Sequence, residues 1–384
     1  MSAIFYQNFT LGVLGGGQLG RMLLQSAVNY PVETFVLESG KNPPSAKLCN
    51  HYIEGDIKDF DAVYKFGKQV DVLTIEIENV NIEALEKLEA EGVKIYPRPA
   101  VLKTIKNKIL QKEFYSANNI PTPEFHVINS RDELHQHMNF LPAVHKLATG
   151  GYDGKGVQIL NNSNEINLGF DAPSVLEKMV LIVKELAITV AVGNNGATAL
   201  YPPVEMVFDQ TLNLLDYQIC PANIPENILW NAEALALSVA RNLKSPGIFA
   251  VEMFTDKENH VWVNETAPRV HNSGHHTIEA HYSSQFDMLW RIILNYPLGN
   301  TNKIMSSVMV NLVGAEGYTG NAVYEGLAEV LAIPDTYVHL YGKKETKPGR
   351  KMGHATIISD ERQELLHQAN KIKHTLFVKG DKKS

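Results

Sequence analysis

The stretch "LGVLGGGQLGRMLLQ" at residues 11–25 constrains the fold more than any other segment. A short apolar run ends in Gly15, Gly17 and Gly20, spaced G-x-G-x-x-G, and a helical pattern follows with Leu19, Met22 and Leu23 on one face. Strand, glycine turn and helix in that order build the first unit of a parallel α/β sheet. The backbone N–H groups at the helix start face whatever anion binds there. Further on, "FVLES" places Glu38 about where a dinucleotide enzyme holds its ribose. The turn alone does not choose among phosphates, and no second mononucleotide-binding half follows, as a dinucleotide site requires.

The strand–helix alternation continues for about a hundred residues. "TFVLES" reads as a strand, a Pro- and Ser-rich stretch as a loop, and "DVLTIEIENV" as a buried strand. "NIEALEKLEAEG" reads as a helix with Ile82, Leu85 and Leu88 inward and Gly92 as its terminator. This repetition predicts a parallel sheet covered by helices. "YPRPAV" and "NNIPTPEF" bracket a helical segment near residues 100–118, where a domain boundary is expected. Beyond it the chain is rich in hairpins. "AVHKLATGGYDGKGVQIL" reads as strand, glycine turn, strand; "ELAITVAVGNNGATALYPP" and "GIFAVEMFTDKENHVWVNE" read as hairpins. A helix is expected around 230–243, with a strand ("HATIIS") and a helix (360–376) closing the chain.

Composition narrows the function classes. The 384 residues carry a net charge of −7, 44% hydrophobic residues and two cysteines, Cys49 and Cys220, in unrelated contexts. Nothing here suggests a nucleic-acid or membrane-surface binder, a disulfide framework or a Cys/His metal site. The N-terminus lacks a signal-peptide pattern, and no apolar stretch is long enough to span a bilayer. The sequence therefore predicts a soluble cytoplasmic protein.

Four further motifs carry chemistry. "HKLATGGYDGKGV" holds four glycines in residues 150–156, with Lys146 before them and Lys155 within. Such a loop can fold over a triphosphate, although it is not a Walker A loop, because Lys155 precedes a glycine and a strand follows. In "FAVEMF" and "VWVNETAPR", Glu252 and Glu265 interrupt apolar strands. Carboxylates there are costly unless paired or metal-bound, and with Asn264 they make a hard-oxygen set suited to Mg²⁺. Strand register, which decides whether they converge, is not readable from the sequence. "APRVHNSGHHTIEA" packs Arg269, His271, Asn272, Ser273, His275 and His276 into one loop; its histidines lack the remaining ligands of a zinc site. "YGKKETKPGRKMGH" gathers Lys343, Lys344, Lys347, Arg350 and Lys351 on a Pro- and Gly-shaped loop, a candidate anion site.

Together "GVLGGGQLGRML", "GGYDGKG", "VNETAPRVHNSGHHTIEA" and "KPGRKMGH", in this order, resemble the ATP-grasp superfamily. Within it they are similar to the N5-carboxyaminoimidazole ribonucleotide synthetase family, from about Leu11 to the C-terminal helix. The resemblance implies an α/β plus α+β fold in three parts. These are an N-terminal parallel-sheet domain over 1–104, a small lid over 105–186 and a larger antiparallel-sheet domain over 187–384. It implies a biotin-free and NAD-free ligase of de novo purine (IMP) synthesis, homodimeric. ATP would phosphorylate bicarbonate to carboxyphosphate, and the exocyclic amine of 5-aminoimidazole ribonucleotide would be carboxylated.

Carried over by motif, Lys108, Lys146, the loop Gly151, Tyr152, Asp153, Gly154, Lys155, Gly156 and Val157, then Glu177, Lys178, Met179, Val180 and Glu185, with Asn264 and Glu265, surround ATP. Glu252 and Glu265 hold Mg²⁺. Gln18, Leu19, Glu76, Tyr152, Arg269, His271, Asn272, Ser273, Lys343 and Arg350 bind the ribonucleotide and carboxyphosphate. Asp153, Arg269, His271 and Lys343 are the candidate catalytic residues. Glu78, two residues beyond Glu76, competes for the same role if both lie on one strand face. One departure stands out in "YPPVEMVFD": the family commonly has histidine where Phe208 aligns, and phenylalanine cannot donate a hydrogen bond. The alternative reading is another ATP-grasp ligase, such as a formate-dependent ribonucleotide transformylase. An NAD-dependent oxidoreductase rests on the first glycine turn alone.

Overall fold

The computed structural model describes residues 9–151, 156–209 and 214–383. Its N-terminal sheet is parallel, ordered in space His51–Glu54, Glu33–Glu38, Thr10–Leu14, Val72–Ile75, Lys94–Tyr96. Thr10–Leu14 lies at the centre, and the chain leaves it toward opposite sides of the sheet. The crevice at its carboxyl end is thus a topological switch point, where open α/β sheets bind ligands, and the glycine turn sits there. The helix Gln18–Ala27 that follows buries Leu19, Met22, Leu23 and Leu24.

Two strands were not evident from sequence. His51–Glu54 is an edge strand with exposed ends inside the expected loop, and Lys94–Tyr96 is three residues long. In the other direction, "DVLTIEIENV" is strand only over Val72–Ile75, so Glu76 and Glu78 lie beyond the strand rather than on a shared strand face. The segment near 100–118 is two helices, Pro99–Lys106 and Lys108–Ala117. Asn107 separates them: its backbone is extended, and its side chain accepts from the N–H groups of Ile109 and Leu110. An N-cap asparagine restarts the helix at a new angle.

The next unit is a four-stranded antiparallel sheet, ordered Phe125–Ile128, Ser174–Lys178, Ala143–Leu147, Val157–Leu160. Its core is small, built on Ile128, Leu134, Ala143, Leu160, Ile166 and Leu176. The glycine-rich segment joins the last two strands; Tyr152, Asp153, Gly154 and Lys155 lie outside the described residues.

A nine-stranded antiparallel sheet forms the body. Its path runs Val261–Ala267, Gly247–Thr255, Lys184–Val192, Val204–Asp209, Leu214–Cys220, Ser307–Val313, Lys351–Ile358, Thr336–Leu340, with Thr198–Leu200 pairing Lys184–Val192 as the expected hairpin. The helix Glu226–Asn242 packs Ile228, Ala232, Ala236, Val239 and Ala240 beneath it. A three-stranded sheet of Glu345–Thr346, Tyr318–Glu325 and Phe377–Lys383 completes the fold, and its last strand has no sequence signal beyond "FVKG". The N-terminal unit is not loosely tethered. Leu19, Met22 and Leu23 share a core with Phe286, Leu289, Trp290 and Ile293, and the Trp290 indole donates to the Leu23 carbonyl at 2.9 Å. Among the described residues no helix is long and apolar enough to cross a membrane.

Candidate active site

A cleft of about 370 Å³ opens between the four-stranded sheet and one end of the body sheet. Its charged wall is built from three elements. The helix start supplies Lys108, the strand Ala143–Leu147 supplies Lys146, and the pair of strands at the body-sheet edge supplies Glu252, Asn264 and Glu265. The register question is answered here. Glu252 stands directly opposite Glu265, and a bulge at Glu252/Met253 leaves Asn264 as the extra residue. A bulge puts consecutive side chains toward one side, which is why Asn264 and Glu265 both line the cleft. Glu185 joins them from the neighbouring strand, where Ala187 faces Glu252.

The cleft's lysines rest on protein acceptors. Lys108 Nζ lies 2.6 Å from Glu265 Oε2; Lys146 Nζ lies 3.1 Å from Glu177 and 3.1 Å from Asn264 Oδ1. Lys112, one helical turn beyond Lys108, lies 3.0 Å from Glu177 Oε2. The electrostatics follow from this arrangement. Lys108 holds the Glu265 carboxyl well below its usual range, while burial and the facing carboxylates of Glu265 and Glu185 push Glu252 up. A carboxylate pair so polarised is under-compensated by cations, the condition that a bound divalent ion relieves.

Much of the remaining lining is apolar, from Val144, Val157, Val180, Ile182, Met206, Phe208, Leu215 and Phe254. Phe208 presents a ring to the cleft, where it can make apolar contact with a flat group but cannot donate a hydrogen bond.

His271 and Asn272 also line the cleft. His271 Nδ1 accepts from the Ser273 N–H at 3.3 Å, which places the ring proton on Nε2, 3.8 Å from Glu252 Oε1. Burial, then Arg269 and Lys351, push the His271 imidazole down to about 3. It is a neutral N–H donor at neutral pH and a poor general base.

A second group of residues adjoins this cleft through Val270. Arg269 forms a two-pronged ion pair with Glu78, Nε to Oε1 at 2.9 Å and Nη2 to Oε2 at 3.0 Å. Glu76 does something different. Its carboxylate accepts the Gly17 and Gly20 N–H groups, both at 2.6 Å, and Glu38 accepts that of Gly16 at 3.0 Å. The donors that a pyrophosphate would need are therefore held by two carboxylates, which would repel it. The dinucleotide reading fails on that observation. No carboxylate reaches the Gln18 and Leu19 N–H groups among the described residues. Lys343 donates to the Lys351 carbonyl at 2.7 Å, and Arg350 donates to the Glu345 carbonyl at 2.8 Å.

Comparison with known proteins now bears on these residues. Residues 9–106 match the ribonucleotide synthetase preATP-grasp domain, 113–286 the ATP-grasp domain, and 307–368 the phosphoribosylaminoimidazole carboxylase C-terminal domain. The N5-carboxyaminoimidazole ribonucleotide synthase of Synechococcus elongatus is 34% identical, covering 90% of this chain and 89% of that protein. The crystal structure of N5-carboxyaminoimidazole ribonucleotide synthetase from Thermotoga maritima superposes with a TM-score of 0.90 at 38% identity, over 97% of this chain and 100% of that one. The chain belongs to this synthetase family. The family's enzyme from Aspergillus clavatus, solved with ADP and 5-aminoimidazole ribonucleotide, has a TM-score of 0.88 at 32% identity over 97% and 99% of the two chains. A chloroplastic phosphoribosylaminoimidazole carboxylase from Vigna aconitifolia is 37% identical over 91% of this chain, which spans 64% of that relative's length.

Of the residues expected at the family's nucleotide site, the structure brings Lys108, Lys146, Val157, Glu177, Lys178, Val180, Glu185, Asn264 and Glu265 together around one cleft, with Glu252, His271 and Asn272. Gly151, Gly156 and Met179 lie on the adjoining turn and strand ends rather than in its lining. Gln18, Leu19, Glu76, Arg269, Ser273, Lys343 and Arg350 also lie outside the lining. Sequence reasoning missed Lys112 and the lining role of Lys351. Lys112 sits four residues after Lys108, a spacing that shares a helix face once the Asn107 cap is recognised. Lys351 belonged to a recognised basic loop.

Cys220, His276 and His281 cluster in the core with ligand atoms within 4.8 Å of one another. Gln218 Nε2 donates to His276 Nδ1 at 3.0 Å, however, so His276 carries its proton on Nε2 and has no free lone pair for a metal.

Proposed function

We propose that this chain couples ATP cleavage to the carboxylation of 5-aminoimidazole ribonucleotide by bicarbonate. The products are N5-carboxyaminoimidazole ribonucleotide, ADP and phosphate, in de novo purine synthesis. One observation carries the reading: a cleft with apolar lining, two resting lysines and a polarised carboxylate pair includes His271, and Arg269, two residues before it, pairs with Glu78, two residues beyond the Glu76 that holds the glycine turn. Relatives solved with ADP and with 5-aminoimidazole ribonucleotide share this fold over nearly their whole length.

Base and ribose would lie in the slot bounded by Phe208 and Phe254, with the phosphates at Lys108 and Lys146. Glu252 and Glu265, with Asn264 beside them, are the residues that would hold Mg²⁺, which when bound neutralises phosphate charge. The bicarbonate oxygen attacks the γ-phosphorus, the bond to the bridging oxygen breaks, and ADP leaves. The aminoimidazole nitrogen then attacks the carboxyl carbon, phosphate departs, and the amine loses a proton. His271, neutral and protonated on Nε2, orients an anionic oxygen rather than abstracting that proton, which leaves Asp153 as the residue assigned to proton handling. Gln18, Leu19, Glu76, Asn272, Ser273, Lys343 and Arg350 would line the ribonucleotide side, Tyr152 is assigned to both substrates, and Arg269 and Lys343 would stabilise carboxyphosphate. Carboxyphosphate is short-lived, so the site must exclude water from it. The separate sheets support three units close to 1–104, 105–186 and 187–384, although strand Lys184–Val192 belongs to the body sheet as a whole and puts the last boundary before Lys184; a cytoplasmic homodimer is the expected assembly.

Isotope transfer tests this reading. With bicarbonate labelled by ¹⁸O, one labelled oxygen should appear in the released phosphate. Release of unlabelled phosphate, or replacement of bicarbonate by formate without loss of turnover, would assign the chain to another carboxylate–amine ligase.

A further inference from the structure

Glu177 is 3% exposed and touches two ammonium groups among the described residues, Lys112 and Lys146. The two lysines are not equivalent. Lys146 lines the cleft and also donates to Asn264, whereas Lys112 is 2% exposed, does not reach the cleft, and donates to Thr122 Oγ1 at 2.6 Å. Thr122 in turn donates to the Val263 carbonyl at 2.8 Å, next to Asn264. Lys112 is thus fixed between the helix Lys108–Ala117, the Glu177 strand and the metal-site strand.

This arrangement rests on the nucleotide reading given above. To serve a phosphate, Lys146 must turn away from Glu177. A buried carboxylate stripped of its only cation is strongly disfavoured, so departure would be resisted if Lys146 were Glu177's sole partner. Lys112 removes that resistance. We infer that Lys112 is a positioning residue: the permanent counter-ion of Glu177, whose presence frees Lys146 to engage a nucleotide phosphate. Burial pushes Glu177 up and Lys112 down to about 8, yet Lys146 and Lys112 hold the Glu177 carboxyl below the usual range, so the pair is charged at neutral pH.

A double-mutant cycle read by equilibrium binding on the full chain tests this. Binding of Mg²⁺-ATP and of adenosine is measured for the unaltered protein, Lys112→Met, Glu177→Gln and the double variant. Lys112→Met should weaken ATP binding about tenfold or more but leave adenosine, which has no phosphate for Lys146, within about twofold. In the Glu177→Gln background the same substitution should change ATP binding less than about twofold, because no carboxylate is left to trap Lys146. Lys112→Arg should retain ATP binding within about threefold. Should Lys112→Met alone not fold, the double variant and Lys112→Arg still decide: a double variant that binds ATP as Glu177→Gln does supports the inference. Equal loss of ATP and adenosine, equal loss in both backgrounds, no loss at all, or a double variant that fails to fold would each overturn it. Failure of the unaltered protein to bind ATP would instead overturn the nucleotide assignment of the cleft.

Discussion

At the scale of single residues, the cleft is a set of charges held on one another until a ligand arrives. Glu265 is the most consequential. Its side chain is 45% exposed, so Glu265→Gln should leave the fold intact. It would nonetheless remove both a carboxylate of the pair proposed to hold Mg²⁺ and the partner of Lys108. ADP release should fall by roughly 10²–10³-fold, the range seen when one preorganised electrostatic contact is lost, with little change in the urea midpoint. Turnover within about threefold of the unaltered protein would sink the assignment. Phe208 makes a quieter prediction. Phe208→Ala should weaken adenosine binding by about 2- to 10-fold through lost aromatic contact, and titration calorimetry reads it directly; unchanged binding would place the base elsewhere. Both residues stand in sequence motifs, but only the structure shows what they face. Glu252 and Glu265 were legible as anomalous carboxylates in apolar strands. Their convergence was not, because it depends on a bulge that shifts register by one residue.

At the scale of elements, the turn after Thr10–Leu14 shows how a familiar pattern can serve a different end. Its glycines permit the tight turn, yet Glu76 and Glu38 occupy the donors that the pattern advertises. Gly15 has φ +101°, and a Cβ there would strike the Glu76 side chain. Gly15→Ala should therefore cost about 2–4 kcal/mol of stability. Gly40→Ala, at φ +82° with nothing near, should cost about 1 kcal/mol. Urea denaturation of the two variants separates strain from steric conflict, and equal costs would contradict the clash. The strand–helix alternation here was readable because parallel strands are continuous apolar runs. His51–Glu54 and Lys94–Tyr96 were not, because a short edge strand carries neither a run nor an alternation. The break at Asn107 was written in the sequence as an N-cap residue, but an unbroken helical pattern on either side concealed it.

At the scale of the whole molecule, several imidazoles are buried and neutral. Burial pushes His145 and His281 down to about 4, and holds His275, His276 and His354 well below the ordinary range. The unfolded chain takes up these protons as pH falls below about 6.5, and the folded chain does not. Stability is thus fully present above that pH and declines toward pH 4. Each group contributes up to about 2 kcal/mol at pH 5. Burial raises Glu76, Glu185 and Glu252, which act in the opposite sense, but they are fewer. The melting temperature should drop by about 5 °C or more between pH 7.5 and 5.5; a rise on acidification would show that the carboxyls dominate. None of this was visible in sequence, where "HNSGHH" reads as a binding loop, and only the packing of that loop against the Lys351–Ile358 strand makes His275 a core residue.

The measurement that tests the account most directly is stoichiometric. ADP release is followed with Mg²⁺, ATP and bicarbonate, with and without 5-aminoimidazole ribonucleotide, while the labile carboxylated product is trapped in the same run. The account predicts release strongly stimulated by the ribonucleotide, with one carboxyl group fixed for each ADP formed. ADP release indifferent to the ribonucleotide, or stimulated without any carboxyl fixed, would contradict it.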